Sequence, residues 1–315
     1  MKKKLIERLF PLLTLGILIL SLWVLSQELR HYQIREVLHS LTTIPINVLC
    51  LAIIGTVASY LMITGYDFIA FCYLKYSLPP GAIVFTALVS YIISNNIGFA
   101  TLSGGAIRYR LYSHWGVPAR IVAIVTAFSN LSFWLGLCAV GGVVFLVEPL
   151  TIPKLLNIPF ASAHPLGIIF LLLVIAYLTA TIFYRRSVSI GKQIFVLPSF
   201  GLSLAQILIS LLDWALAAGV LYILLPIHDL LSYPGFFGIY LLAMAAGIVS
   251  HVPGGLGVFE TIVVLLLPGK VNSAQALGSL LIYRGIYYLL PLLVAVGLLA
   301  GYEIFQKVKN NPNSK

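Results

Sequence analysis

Two carboxylic acids, Asp67 and Asp213, stand alone in long apolar runs of this chain. An ionisable group at membrane depth is expensive and turns to a wet cavity or a partner, so each is a candidate for holding a cation or carrying a proton. Asp67 closes a polar line of Thr56, Tyr60 and Thr64, spaced four, four and three, which puts all four on one helix face. Asp213 has Ser203, Gln206 and Ser210 on its own face. It falls in mid-run, which favours function; Asp67 lies near the end of its run, where a carboxylate can also sit at the interface.

Arg108 and Arg110 follow a glycine-rich stretch that runs Ser94-Asn95-Asn96-Ile97-Gly98 and ends in Gly104-Gly105. A short helix starting near Gly105 would offer its free amides and two guanidiniums to an anion, with a lipid phosphate the natural guest. A pair that only fixes orientation on the cytoplasmic side fits equally well. A second stretch, Pro253-Gly254-Gly255-Leu256-Gly257, precedes Glu260, and Arg284 lies farther on among Tyr283, Tyr287 and Tyr288. Glu260 and Arg284 are site candidates, or else a structural ion pair.

Other chemistry lacks its residues. The chain has no Gly-Lys-Ser/Thr phosphate loop and no serine nucleophile elbow, and Gly255-Leu256-Gly257 is only a fragment of a dinucleotide fingerprint. Its six histidines are scattered, and Cys50, Cys72 and Cys138 have no metal-ligand spacing, so neither metal nor cofactor is expected.

The elements that must position these residues are membrane helices. Of 315 residues 60% are hydrophobic and 9% charged, with a mean hydropathy of +1.04; soluble domains carry about 25% charged residues. The net charge of +10 sits mostly at tails and run ends (Lys2 to Lys4, Arg185, Arg186, Lys192, Lys307, Lys309), which argues for membrane orientation and against nucleic acid. Full-length spans are expected at about 9–26, 46–70, 118–147, 165–184, 201–225 and 277–302. The first has no small-residue cleavage site after it and reads as retained.

Charge parity sets the path. With the lysine-rich amino terminus and the 185–192 loop in the cytoplasm, 81–117 begins and ends inside, and 235–267 begins and ends outside. Both interrupted stretches therefore read as re-entrant hairpins, with kinked spans in a shifted topology as the alternative. The expected fold is all-α integral membrane: six transmembrane helices plus two re-entrant helical hairpins in an inverted-topology repeat. Residues 1–315 form one membrane domain, with halves at about 5–147 and 165–303 and a short cytoplasmic tail at 304–315. Inverted repeats with broken helices are a transporter signature, the site lying where the breaks meet.

The run Asn95-Asn96-Ile97-Gly98 … Gly104-Gly105-Ala106-Ile107-Arg108-Tyr109-Arg110-Leu111-Tyr112, with Pro253-Gly254-Gly255-Leu256-Gly257-Val258-Phe259-Glu260, resembles the transmembrane domain of lysylphosphatidylglycerol synthases, the multiple peptide resistance factor type. The resemblance covers about residues 5–305. It implies a flippase domain that moves aminoacylated phosphatidylglycerol between leaflets, a separate cytoplasmic domain performing aminoacyl transfer. By motif position, Asp67 and the Arg108/Arg110 pair are the nearest counterparts of its translocation residues, and Asp213 is a looser one. With the sequence running only to Lys315, a synthase domain is not expected in it, and the resemblance is not expected to imply an enzyme.

The expected function is thus movement of anionic or aminoacylated phospholipid in a bacterial inner membrane, with both termini cytoplasmic. Two alternatives stand beside it. One is a membrane-embedded transferase on lipid head groups, using Asp67, His114 or His251. The other is a non-catalytic partner of a separate synthase. Membrane lipids are the expected partners, nucleic acid is not, and a homo-oligomer or a synthase partner is left open.

Overall fold

The computed structural model describes residues 44–97, 100–148, 150, 162–183, 188–190, 193–250, 252–269 and 271–309. The expected first span at 9–26, Arg185, Arg186, Lys192, His251 and the tail beyond 309 lie outside them.

The described chain is helical almost throughout: α1 (Ile46–Leu74), α2 (Pro80–Ile97), α3 (Ala100–Ser113), α4 (Ala119–Val147), α5 (His164–Phe183), α6 (Phe200–Leu224), α7 (Tyr233–Val249), α8 (Val258–Leu266), α9 (Ser273–Tyr283) and α10 (Leu290–Lys309). A π-helical turn, Arg284–Leu289, makes α9 and α10 continuous. Helix starts follow local chemistry. Pro45 and Pro118 precede α1 and α4 in extended geometry. The side chains of Ser199, Ser232 and Asn272 accept from the first free amides of α6, α7 and α9. Lys75 ends α1 in the left-handed region at φ 51°, its N–H reaching back to Cys72 O.

The chain is a multi-pass membrane protein. Among the described residues six helical stretches are long and apolar enough to cross a bilayer: α1, α2, α4, α5, α6 and Ser273–Ile304. Five coincide with expected spans. The sixth, α2, lies in the stretch expected to be interrupted. The outer face of α5 carries exposed Leu172, Leu173 and Ile175, the surface a hydrocarbon solvent accepts. A two-stranded antiparallel ribbon, Val188–Ile190 with Gln193–Phe195, begins in the loop expected at 185–192 and runs past it.

Both interrupted stretches fold back on themselves. Along α2 and α3, Ser94 lies against Gly104, the Arg108 guanidinium over the Tyr91 ring, and Phe85 beside Trp115. That register is antiparallel from tip to base. In the second, Gly247 meets Gly255 and the Tyr240 ring meets Phe259, which pairs α7 with α8 antiparallel. The first break is shorter than expected. Gly104 and Gly105 lie inside α3, which starts at Ala100, so no helix begins at Gly105 to present its amides. They serve packing instead: a side-chain carbon at Gly104 would sit 3.1 Å from Arg108 Nη1 and 3.4 Å from Ser94.

The helices pack through small residues, as membrane helices do when lipid gives no hydrophobic drive to associate. α1 and α6 run antiparallel, with Gly55 against Val220 and Gly65 against Ile209. The closest approach is α4 on α6. A side-chain carbon at Gly136 would fall 1.8 Å from Ser210 Oγ and 2.3 Å from Ser210 Cβ. Gly136→Ala must therefore push the two helices apart, at a cost of about 1–3 kcal/mol. Removing the hydroxyl in Gly136→Ala/Ser210→Ala leaves the Cβ clash, so thermal unfolding in detergent is expected to remain lowered in the double variant; recovery there would contradict this contact.

Candidate functional site

The two hairpin tips meet inside the bundle. Gly254, in the turn before α8, packs against the carbonyl oxygens of Asn95 and Asn96 in the last turn of α2; a side-chain carbon at Gly254 would lie 3.8 and 3.7 Å from them. The turn Pro253–Gly255 and the residue just before α8 need positive φ at Gly254 (φ 60°), Gly255 (φ 63°) and Gly257 (φ 77°), a shape glycine adopts without strain. Asn96 Nδ2 donates to Ile92 O within α2 and to Tyr288 O in the π-helical turn, tying the first tip to the last helix.

Arg284 fastens the second tip. Its Nε donates to Glu260 Oε1 at 2.6 Å and its Nη1 to Gly254 O at 2.6 Å, while its guanidinium lies over the Tyr288 ring at 4.6 Å. Glu260 Oε2 accepts the Gly257 amide at 2.8 Å and so caps α8. Glu260 and Arg284 are buried and paired, which is the ion-pair alternative for both residues.

Beside the tips lies a cavity of about 350 Å³. Its wall is rich in aromatic side chains: Tyr66, Tyr91, Phe133, Trp134, Trp214, Tyr240, Phe259, Tyr287 and Tyr288. Among the six ionisable site candidates, Arg108 and Asp213 line it. Asn95, Gly254 and Gly255 line it as well, so both breaks contribute to its wall.

Arg108 is 2% exposed and held by Asp67. Its Nε reaches Asp67 Oδ1 and Oδ2 at 3.2 and 3.0 Å, and its Nη2 reaches Oδ1 at 2.9 Å. Asp67 also accepts from Tyr112 Oη at 2.8 Å and Ser129 Oγ at 3.0 Å. Asp67 is fully buried, with both oxygens engaged by α3 and α4, and it lies behind the cavity wall rather than in it. It is not turned to the cavity; its geometry orients Arg108 and joins α1 to the first hairpin.

Asp213 is different. Ser59 Oγ donates to its Oδ1 at 3.3 Å and Tyr66 Oη to its Oδ2 at 2.8 Å. Tyr287 Oη lies 2.8 Å from Ser59 Oγ, and Ser210 Oγ lies 2.9 Å from Tyr66 Oη. Among the described residues no cationic side chain comes within ion-pair distance of Asp213. Hydroxyls thus hold a buried carboxyl at the cavity wall. The rest of its face is consumed in packing. Gln206 donates to Ser132, Ser210 donates to the Ser132 carbonyl, and Tyr177 joins Gln206 and Ser203.

Arg110 points elsewhere, pairing with Glu303 of α10, near the rings of His114 and Tyr302. Its contacts tie the base of the first hairpin to the end of the last helix. Ser59, Tyr66 and Tyr287 were not singled out for the Asp213 site from the sequence. A trace existed, since Ser59 and Tyr66 are seven apart and share a helix face other than the one ending at Asp67. Among the described residues no cluster of three or more histidine, cysteine or acidic side chains could hold a metal ion.

Comparison with known proteins gives concordant matches. The family model described as the lysylphosphatidylglycerol synthase TM region matches residues 12–295. An uncharacterized protein of Synechocystis is 49% identical over 288 residues, covering 91% of this chain and 89% of that protein. Inner membrane protein YbhN of Escherichia coli is 32% identical over 243 residues, covering 76% of this chain and 75% of its own length. A phosphatidylglycerol lysyltransferase of Staphylococcus haemolyticus is 26% identical over 296 residues, 89% of this chain but 32% of the relative. The chain thus spans about a third of the length of that lysyltransferase.

Proposed function

The chain belongs to the lysylphosphatidylglycerol synthase transmembrane-region family, and from that premise we propose that it carries phospholipid of the phosphatidylglycerol type, anionic or aminoacylated, between membrane leaflets. The observation that supports this most is one aromatic cavity with a guanidinium, Arg108, and a carboxyl without a cationic partner among the described residues, Asp213, in the same wall. A phosphate suits the first and an ammonium or a proton the second. The relative named phosphatidylglycerol lysyltransferase carries a lipid substrate of this kind in its name.

In this reading the two hairpins are re-entrant, entering from opposite faces, and the halves at about 5–147 and 165–303 form an inverted repeat that rocks around the cavity. Both termini are cytoplasmic in the inner membrane, as the name of the Escherichia coli relative suggests for the compartment. A topology reporter fused near Trp115 is expected to report the cytoplasm; an extracellular signal would overturn the re-entrant path.

The functional test is lipid movement in proteoliposomes that hold the purified chain, using fluorescent phosphatidylglycerol and aminoacyl-phosphatidylglycerol. Movement of at least one lipid faster than in empty vesicles is expected. Movement of neither rejects the proposal. The similarity to a phosphatidylglycerol lysyltransferase supports a second reading, a membrane partner of a synthase. Co-purification of a soluble enzyme together with no lipid movement by the chain alone would support it. A transferase within the membrane has less to stand on. Asp67 is consumed by Arg108, Tyr112 and Ser129, and His114 is exposed and bonds the Arg110 carbonyl outside the cavity wall.

A further inference from the structure

The cavity is not closed on all sides. Trp134 lines it and is also 43% exposed, so the wall and the outer surface meet at that side chain. Met244 and Ile248 of α7 line the same cavity and are partly exposed. Gly238 of α7 packs against Val144 of α4, and farther along both helices Trp134, Met244 and Ile248 border the cavity. The two helices thus touch near Val144 and both line the cavity near Trp134.

The depth of that opening carries the argument. Trp134 lies 15 residues into the 29-residue α4, roughly 22 Å from the helix start and close to its middle. In a helix that crosses a bilayer, this depth faces hydrocarbon and not water. Leu131, one turn away on the same helix, is 44% exposed. A water-soluble ligand has no route through such a window. An amphiphile does, with its polar head among Arg108, Asp213 and the hairpin tips and its chains passing out between the helices.

We propose that the gap between α4 and α7 at Trp134, Met244 and Ile248 is a lateral window that admits the acyl chains of a phospholipid whose head group occupies the cavity. This rests on the lipid-handling reading above and adds the route and the chemical class of the part that stays outside. The window has to accept any fatty chain, because aromatic and thioether side chains make sequence-tolerant apolar contact. Selection falls to the charges inside.

The test uses the full chain in vesicles of equimolar phosphatidylglycerol and phosphatidylcholine, with p-benzoylphenylalanine installed in separate variants at Met244, at Ile248 and at Leu172. Leu172 is 60% exposed on the outer face of α5 and samples bulk lipid. After irradiation, the masses of the adducts are read. Phospholipid adducts are expected at Met244 or Ile248, enriched in phosphatidylglycerol by about tenfold over the ratio at Leu172, equivalent to about 1.4 kcal/mol. Two results overturn the window: no lipid adduct at either position while Leu172 reports lipid, or adducts at all three with the bulk ratio. Lipid movement is measured on the same preparations. Selective adducts without movement would keep the window and reject translocation; movement without adducts would do the reverse.

Discussion

Replacing Asp213 by Asn is expected to slow lipid movement at least about tenfold, a rise of about 1.4 kcal/mol in the barrier, while the protein stays folded. The carboxyl is 5% exposed and held by Ser59 and Tyr66, with no cation beside it among the described residues. A buried acid in this state is an expense to the fold. Asn has the same shape and keeps an oxygen to accept from Tyr66, so thermal unfolding in detergent should hold or shift upward. The charge is lost, and with it any ability to meet an ammonium or carry a proton. A fall in transport together with unchanged or raised stability is the signature of a functional acid. Unchanged transport would remove Asp213 from the mechanism, and a large loss of stability would make it a structural residue.

The second large effect concerns Asp67 and Arg108. Removing one member, by Asp67→Asn or Arg108→Met, leaves the other charge buried with its partner gone, which costs about 3–5 kcal/mol. Each single variant should therefore yield little monodisperse protein in size-exclusion chromatography. The double variant Asp67→Asn/Arg108→Met carries no buried charge at this point and is expected to recover most of the folded yield. Transport separates two roles that stability cannot. Arg108 lines the cavity and Asp67 does not, so the recovered double variant should still fail to move lipid. If it moves lipid at the original rate, the pair only fastens the first hairpin to α1, and the phosphate contact must lie elsewhere.

The contrast between the acids explains how far the sequence could be read. Both looked alike as isolated carboxyls on polar helix faces. Periodicity located those faces because it depends on spacing along one helix. It could not say what lay opposite. Asp67 meets Arg108 and Asp213 meets Tyr66 across separations of 41 and 147 residues, set by packing between helices. The first glycine pair reads from the sequence as a break. Gly104 is instead a place of close approach to Arg108 and Ser94, a contact visible only once α2 and α3 are folded together.

The sequence by itself determined that this is a multi-pass helical membrane protein, where its apolar runs lie, that two of them are interrupted, and which few charges lie within them. Those are local properties, fixed by the lengths of apolar runs, by the charges at their ends and by the backbone freedom of glycine. Tertiary structure decided which charges are spent on each other, as in Asp67 with Arg108 and Glu260 with Arg284, and that among the described residues Asp213 alone of the acids faces the cavity. The physical reason is that a buried charge is satisfied by whichever groups packing brings within about 3 Å, and those groups come from distant parts of the chain.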